Sequence, residues 1–326
     1  MRKLLEIENL IVHFETGSGV VQVLDDVNFT MHDGEILGLV GESGSGKSVT
    51  ATAMLGMIRR PGRILAGSIR FDGVDLLRLS EDELRRYRGS RIAMISQSHR
   101  TALNPVISAG RQICRLLEIH EGYSRAAARR RALELLDLVG VADPVRCMRQ
   151  YPHQLSGGMC QRIVIAMALA ASPRLLIADE PTTGLDVTIA ARILDLLRGL
   201  SKTTGAAILL ITHDLGVVAQ TCQRVLVMHA GQLVETAPVR ELFRSPAHPF
   251  TRALVRSIPR IDIEVKLEPV PGTVPSLRHP PPGCRYQTRC PLAMEICRRD
   301  KPRQVAVGQD HRVACFAFGE HRDAAA

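Results

Sequence analysis

The chain has 326 residues, 45% of them hydrophobic, which is enough for one large cored domain with an appendage and excludes wholesale disorder. Its net charge of +9 is carried almost wholly by arginine, with only five lysines and no long basic block. Aromatic residues make up 3% and tryptophan is absent, so stacking platforms for single strands are scarce; solvated arginines, then a membrane-apposed face, account for the charge better than nucleic acid does.

In chain order, the N-terminal stretch turns acidic at Glu6, too early for a signal peptide. The longest apolar run, Ile163–Ala171, is far short of the roughly 18–20 residues that span a bilayer. The expectation is a chain that folds in the cytoplasm. LEIENLIVHF (5–14), VQVLDDVNFTM (21–31) and GSIRFDG (67–73) carry period-two alternation and Gly/Asp turns, as antiparallel strands do. EILGLV (35–40), RIAMIS (91–96), LLIAD (175–179) and AILLIT (207–212) are nearly all apolar, as strands buried on both faces are. Helical patterns lie between them at 48–58, 126–140, 161–171 and 189–200. Buried strands alternating with helices predict an α/β fold with a mainly parallel core sheet. Composition changes near residue 245: nine of the eighteen prolines fall at or after Pro259, and four of the eight cysteines lie beyond residue 283. This C-terminal stretch reads as a small separate extension with little helix or strand pattern.

Gly41-Glu-Ser43-Gly44-Ser45-Gly46-Lys47-Ser48 fits G-x-x-x-x-G-K-[ST] directly after a buried strand and before a helix, the setting that the motif needs. Its glycines let backbone N–H groups turn inward around phosphates at a helix N-terminus. Lys47 is placed to reach the β- and γ-phosphates, and the Ser48 hydroxyl to bind Mg²⁺. Asp179 ends the strand LLIAD, where a carboxylate holds Mg²⁺ through water, and Glu180 beside it polarises an attacking water as general base. A lone Asp-Glu pair at a strand end often merely caps the next helix; alongside the phosphate loop it reads as chemistry. Gln97 and His213 each follow a strand and emerge at a sheet edge, Gln97 toward metal and water and His213 toward the γ-phosphate. A histidine after a strand is more often structural, and its position decides otherwise here.

LSGGM (155–159) opens a second helix. Ser156 can cap it, and Gly157, Gly158 and Met159 offer a bare N-terminus to phosphate. One nucleotide seldom needs two such surfaces, so the economical reading is that each chain offers this one to ATP held by another. A plain Ser-capped helix is the alternative.

The ordered set GESGSGKS, Gln97, LSGGM, LLIADEP, Gly184-Leu-Asp186 and His213 resembles the ATP-binding subunit of ABC transporters over residues 1 to about 245. That resemblance implies a P-loop NTPase cassette with an antiparallel β subdomain and a helical subdomain at about 98–170 that touches membrane subunits. It places Asp186 at the subunit contact and Phe14 on the adenine, although a strand phenylalanine is ordinarily core. YPHQLSGGM, ADEPTTGLDVTI, HPFTRALVRSIP and PGTVPSL are similar to the oligopeptide, dipeptide and nickel importer branch. The extension is then residues 246–326. Two departures stand out: Ser96 precedes Gln97 and Ser98-His99 follow it, where the family has Phe and an acidic residue with Pro, which bears on coupling; and Gly184 replaces a commoner Ala.

Cys284, Cys290, Cys297 and Cys315 form a second constellation, while Cys114, Cys147, Cys160 and Cys222 read as ordinary buried thiols. A reducing cytoplasm disfavours disulfides, and four thiols in a coreless segment point to a metal centre. Zinc sites usually contain a tighter C-x₂₋₄-C pair, and the spacing with Pro291 after Cys290 suits a [4Fe–4S] cluster at least as well. The resemblance implies the cluster, with zinc second and free thiols third. It further implies an ATPase at the cytoplasmic face of a bacterial inner membrane, powering peptide import with two permease subunits, a second ATPase subunit and, indirectly, an extracytoplasmic binding protein. A nickel chelate or glutathione is the alternative cargo. A soluble ABC ATPase acting on nucleic acid or ribosomes is the rival class, disfavoured by the short interval between loop and signature.

Overall fold

The computed structural model describes residues 2–258 and 270–318. Twelve strands are present among them: β1 (Lys3–Thr16), β2 (Gly19–His32), β3 (Ile36–Val40), β4 (Gly62–Phe71), β5 (Val74–Asp75), β6 (Ile92–Ile95), β7 (Leu175–Asp179), β8 (Ala207–Ile211), β9 (Arg224–His229), β10 (Gln232–Pro238), β11 (Val305–Gly308) and β12 (His311–Val313). The chain divides into two compact units. One is built from His32–Ile36 and Arg78–Leu210, the other from Lys3–Met31, Leu37–Leu77 and the described residues from Ile211 onward.

In the first unit the strands run in the order β8–β7–β6, with β6 and β7 parallel from Ile92↔Leu175 to Ile95↔Ala178. Every residue of β7 and β8 is buried, which is why both read as unbroken apolar runs. The helices Ala109–His120, Arg125–Leu138 and Gly157–Leu169 pack on one another within the stretch expected to be helical. Gly157–Leu169 begins four residues before the sequence pattern does, because Ser156 caps it and the glycines form its first turn. Asp186 caps Val187–Thr204, and Gly205, at φ 71°, ends it in the left-handed conformation that costs glycine least.

In the second unit β2–β1–β4–β5 form one sheet, and β11–β12–β10–β9–β3 lie in a second. β3 and β9 are parallel; β9–β10, β10–β12 and β11–β12 are antiparallel. The β1–β4 ladder runs from Leu5↔Phe71 to Phe14↔Gly62 with a bulge between Glu8 and Ile11. At that bulge Asn9 takes φ 49° and Gly67 φ 105°, and a Cβ on Gly67 would stand 2.7 Å from the Asn9 carbonyl. Gly67 is therefore a bend inside a longer strand, not the turn before a short one.

The extension differs from its expected poverty of structure. It supplies β11, β12 and the short helix Glu295–Arg299, and β12 pairs with β10 at Glu235↔Val313 and Thr236↔Arg312. These strands are three and four residues long, too short for a periodic signal, and it is the edge of β10 that orders them. Tyr286 and Phe250 join Val225, Val227, Val234 and Leu242 in one core, against which Cys284 and Cys290 pack.

Candidate functional site

The first unit brings Gln97, Glu180, Ser156–Met159 and Asp186 to loop and helix ends. β7 runs out at the buried Asp179. Glu180 follows at φ 50°, a left-handed value that a non-glycine residue holds only when its surroundings force it, as functional turns do. Its Oε2 accepts hydrogen bonds from Gln97 Nε2 at 3.0 Å and from Thr183 Oγ1 at 2.9 Å. The base and the metal-side glutamine named from the sequence are thus direct partners. Thr183 was not predicted; its only signal is a hydroxyl three residues after the glutamate. Ser156 Oγ accepts the Met159 N–H at 3.3 Å, the cap expected of it. Gly158 lies beside Leu185, which a Cβ would approach to 3.3 Å, so the bare helix end and the Gly184-Leu185-Asp186 turn are neighbours in one chain. Asp186 Oδ1 accepts the Ile189 N–H at 2.9 Å. Its carboxylate is a helix cap whatever else it touches. Gln161 Nε2 donates to the Pro181 carbonyl and ties the same helix to the turn after Glu180.

The second unit holds the phosphate loop, Phe14, His213 and the four tail cysteines. Gly41, Gly44 and Gly46 take φ of 157°, 76° and 105°. A Cβ on Gly41 would collide with the Met228 carbonyl, and one on Gly46 would stand 2.6 Å from Leu24 Cδ2, so close packing from outside dictates glycine at both. Lys47 is buried, with Nζ donating to the Gly41 and Glu42 carbonyls at 2.8 and 2.9 Å. Its ammonium is folded back over the mouth of the loop. Ser43 and Ser48 are exposed, while Ser45 is buried and its carbonyl accepts the Gly231 N–H at 2.9 Å. The loop therefore presents N–H groups, one cation and the Ser48 hydroxyl together, a donor set that suits polyphosphate with Mg²⁺. Phe14 is half-buried, its ring over Gly62, where a Cβ would come within 2.8 Å of it. His213 is exposed after β8, and Asp214 caps the next helix through the Gly216 and Val217 N–H groups.

The tail cysteines lie close enough to act on one another electrostatically. The Cys284 N–H donates to the Cys297 carbonyl at 2.8 Å. Two of the sulfurs also receive a backbone N–H: Leu292 on Cys290 at 3.4 Å and Met294 on Cys297 at 3.5 Å. Burial pushes the Cys284 thiol up to about 12 and the Cys290 thiol up to about 11, and the neighbouring cysteines push the same way. A thiol raised in this way loses its proton on binding a cationic centre, and the N–H donors on Cys290 and Cys297 would steady the resulting thiolates. Among the described residues no three His, Cys, Asp or Glu side chains gather as ligands of one metal ion. Cys114, Cys147 and Cys160 are buried as expected, and Cys222 is half-buried.

Residues missed by sequence reasoning are Glu42, Arg285 and Arg289. Arg289 makes a two-pronged ion pair with Glu42 inside the phosphate loop. The one signal was an arginine beside a tail cysteine, at Cys284-Arg285 and Arg289-Cys290 as at Cys297-Arg298.

Residues 24–183 match the ABC transporter family, and residues 234–297 match the oligopeptide/dipeptide transporter C-terminal region. The dipeptide transport ATP-binding protein DppD of Bacillus subtilis is 47% identical over 97% of this chain and 95% of its own length. The chain belongs to the ABC transporter ATP-binding family. The oligopeptide transport ATP-binding protein OppD of Bacillus subtilis is 48% identical over 99% of this cassette chain and 90% of its own, and DppD of Escherichia coli is 46% identical over 92% of each. Among solved structures, the ATP-binding cassette MJ0796, a dimer bound to ADP and Pi in a post-hydrolysis state, superposes with a TM-score of 0.67 at 28% identity. It covers 73% of this chain and 99% of that one. The fold is the ABC cassette's, with mixed sheets and helices, and its chemistry is ATP hydrolysis. No helix among the described residues is long and apolar enough to cross a membrane.

Proposed function

We propose that this chain is the ATPase subunit that drives import of di- or oligopeptides from the cytoplasmic face of a bacterial inner membrane. Its partners are two permease subunits, a second ATPase chain and, indirectly, an extracytoplasmic binding protein. What supports the cargo class above all is the length of the likeness: relatives named for dipeptide or oligopeptide transport are 46–48% identical over at least 92% of this chain, tail included. A membrane partner is supported by the apolar side chains that the helical region leaves in solvent, among them Val106 at 78% exposed, Ile119 at 61% and Val145 at 53%.

Lys47 and the loop N–H groups of Gly41–Ser48 hold the ATP phosphates; Ser48, Gln97 and Asp179 hold Mg²⁺. Glu180 orients and deprotonates the attacking water, His213 senses the γ-phosphate and Phe14 supports the adenine. Ser156–Met159 and Asp186 complete the site of a partner chain, so two ATP molecules sit at composite sites. The ATPase cassette is residues 1–245, with residues 246–326 as the peptide-transporter-type extension. Cys284, Cys290, Cys297 and Cys315 hold a [4Fe–4S] cluster, a reading supported by the backbone N–H groups that meet the sulfurs of Cys290 and Cys297.

The test is Glu180→Gln, purified from solubilised membranes with ATP and Mg²⁺. The variant binds ATP while turnover falls by about 100-fold or more, the usual worth of a general base, and mass spectrometry recovers two permeases with it. Turnover at the wild-type rate removes Glu180 as the base. Recovery of soluble proteins or nucleic acid alone removes the transport reading. The tail is read separately: anaerobically purified protein is brown and carries acid-labile sulfide, whereas a colourless chain with one zinc rejects the cluster.

A further inference from the structure

Two arginines of the segment Cys284–Cys290 are buried, each next in sequence to a tail cysteine; Arg289 ends on the phosphate loop itself and Arg285 on the strand and turn beside it. The Arg289 side chain is 3% exposed and donates Nη1 and Nη2 to the two carboxylate oxygens of Glu42 at 2.7 and 2.8 Å. Its Nε donates to the Pro271 carbonyl at 2.6 Å, and its guanidinium lies over the ring of Tyr286 at 5.7 Å. Glu42 is the second residue of the loop, and its carbonyl accepts both the Lys47 ammonium and the Ser45 N–H. The side chain that Arg289 grips is therefore one residue's width from the cation that meets phosphate.

Arg285 grips β2 and the turn that backs the loop. Nη1 donates to the Ala230 carbonyl at 2.5 Å, Nη2 donates to Gln22 Oε1 at 3.2 Å, and the guanidinium pairs with Asp25 at 3.3 Å. Ala230 is followed by Gly231, whose N–H donates to the Ser45 carbonyl. A Cβ at Gly231 would stand 3.0 Å from Arg285 Nη1, so the turn, the arginine and the loop are packed without slack. Between the two arginines Tyr286 is buried among His229, His248 and Phe250, with ring centroids 5.2 to 5.6 Å apart.

We propose that Arg289 and Arg285 are positioning residues for the phosphate loop: Arg289 through Glu42, and Arg285 through the turn behind Ser45, set how tightly the loop holds ATP. This rests on Gly41–Ser48 being the ATP site. Burying a guanidinium is favourable only with its partners in place; for Arg289 that partner is Glu42 of the loop, and for Arg285 the partners are Gln22, Asp25 and the Ala230 turn whose next N–H meets Ser45. Anything that loosens Cys284–Cys290 withdraws them together.

The experiment uses the full chain, with ATP·Mg²⁺ affinity measured by calorimetry, and amide hydrogen exchange followed at residues 41–48. Arg289→Ala weakens ATP binding roughly tenfold, the middle of the range for coupling through a packed network, and speeds exchange at 41–48. Arg289→Lys restores part of both. Glu42→Gln does the same damage, and the double variant is no worse than either single one, because both cut one link. If Arg289→Ala fails to fold, Glu42→Gln carries the test alone. Variant affinities within about twofold of wild type, with loop exchange unchanged, overturn the proposal while leaving the ATP site standing. A wild-type chain that binds no ATP overturns the site reading beneath it.

Discussion

Two glutamates follow tight turns in this chain and are held in opposite ways. Glu180 sits in a left-handed backbone with its carboxylate parked on an amide and a hydroxyl, partners that a water or a nucleotide can displace. Glu42 is locked. Burial alone would raise its carboxyl, but the hydrogen bonds and charge of Arg289, with His229 at 3.6 Å behind, outweigh that and hold it at about 2. A carboxyl lowered by folding stabilises the folded state fully above its ordinary value of 4.5, and that stabilisation fades as pH falls toward 2. Urea unfolding of wild type and Glu42→Gln between pH 7 and pH 3 shows the outcome: wild type is the more stable at pH 7, and the gap narrows below about 4.5. A gap that stays constant with pH removes the ion pair as its cause. The phosphate loop was legible residue by residue because its spacing is local. The clamp on Glu42 was not, since its partner lies 247 residues away, Glu42 fills a position that the loop motif leaves open, and Arg289 belongs to no motif.

At the scale of elements, the strands β3, β7 and β8, apolar but for Asp179 at the end of β7, read true because burial on both faces leaves one composition. Boundaries failed where capping and bulging decide them. The helix Gly157–Leu169 starts at its glycines because Ser156 satisfies the Met159 N–H, so Ser156→Ala costs about 1 kcal/mol through the lost cap. Thermal unfolding reads that as a melting point lower by a few degrees. A full loss of ATP turnover with melting unchanged instead assigns Ser156 to phosphate alone. The strands of the tail were illegible because prolines and short lengths hide alternation, and their order comes from the edge that receives them.

For the whole molecule, one buried carboxylate fastens the tail. Glu235 is fully buried and accepts the Ala247 N–H at 2.8 Å, the His248 N–H at 2.7 Å and His311 Nε2 at 2.7 Å, joining β10, β12 and the start of the helix Pro249–Arg256. His248, held neutral at about 3 by burial and by the nearby His229 and Arg252, accepts the Phe250 N–H on Nδ1 and starts that helix. Glu235→Ala strands three donors at once and destabilises by about 3 kcal/mol or more. Chemical denaturation measures this directly, and an unchanged midpoint shows that the tail is held by other contacts.

The pairing of β12 on β10 has a consequence for biosynthesis. A ribosome has emitted the phosphate loop and all of β9 and β10 long before it reaches His311, so through that interval β10 is a bare edge and Glu235 lacks its imidazole. Such an edge is a template for other strands. Messages broken or stalled after β10 and before His311 thus yield chains that contain every ATP-binding motif, yet aggregate or go to proteases.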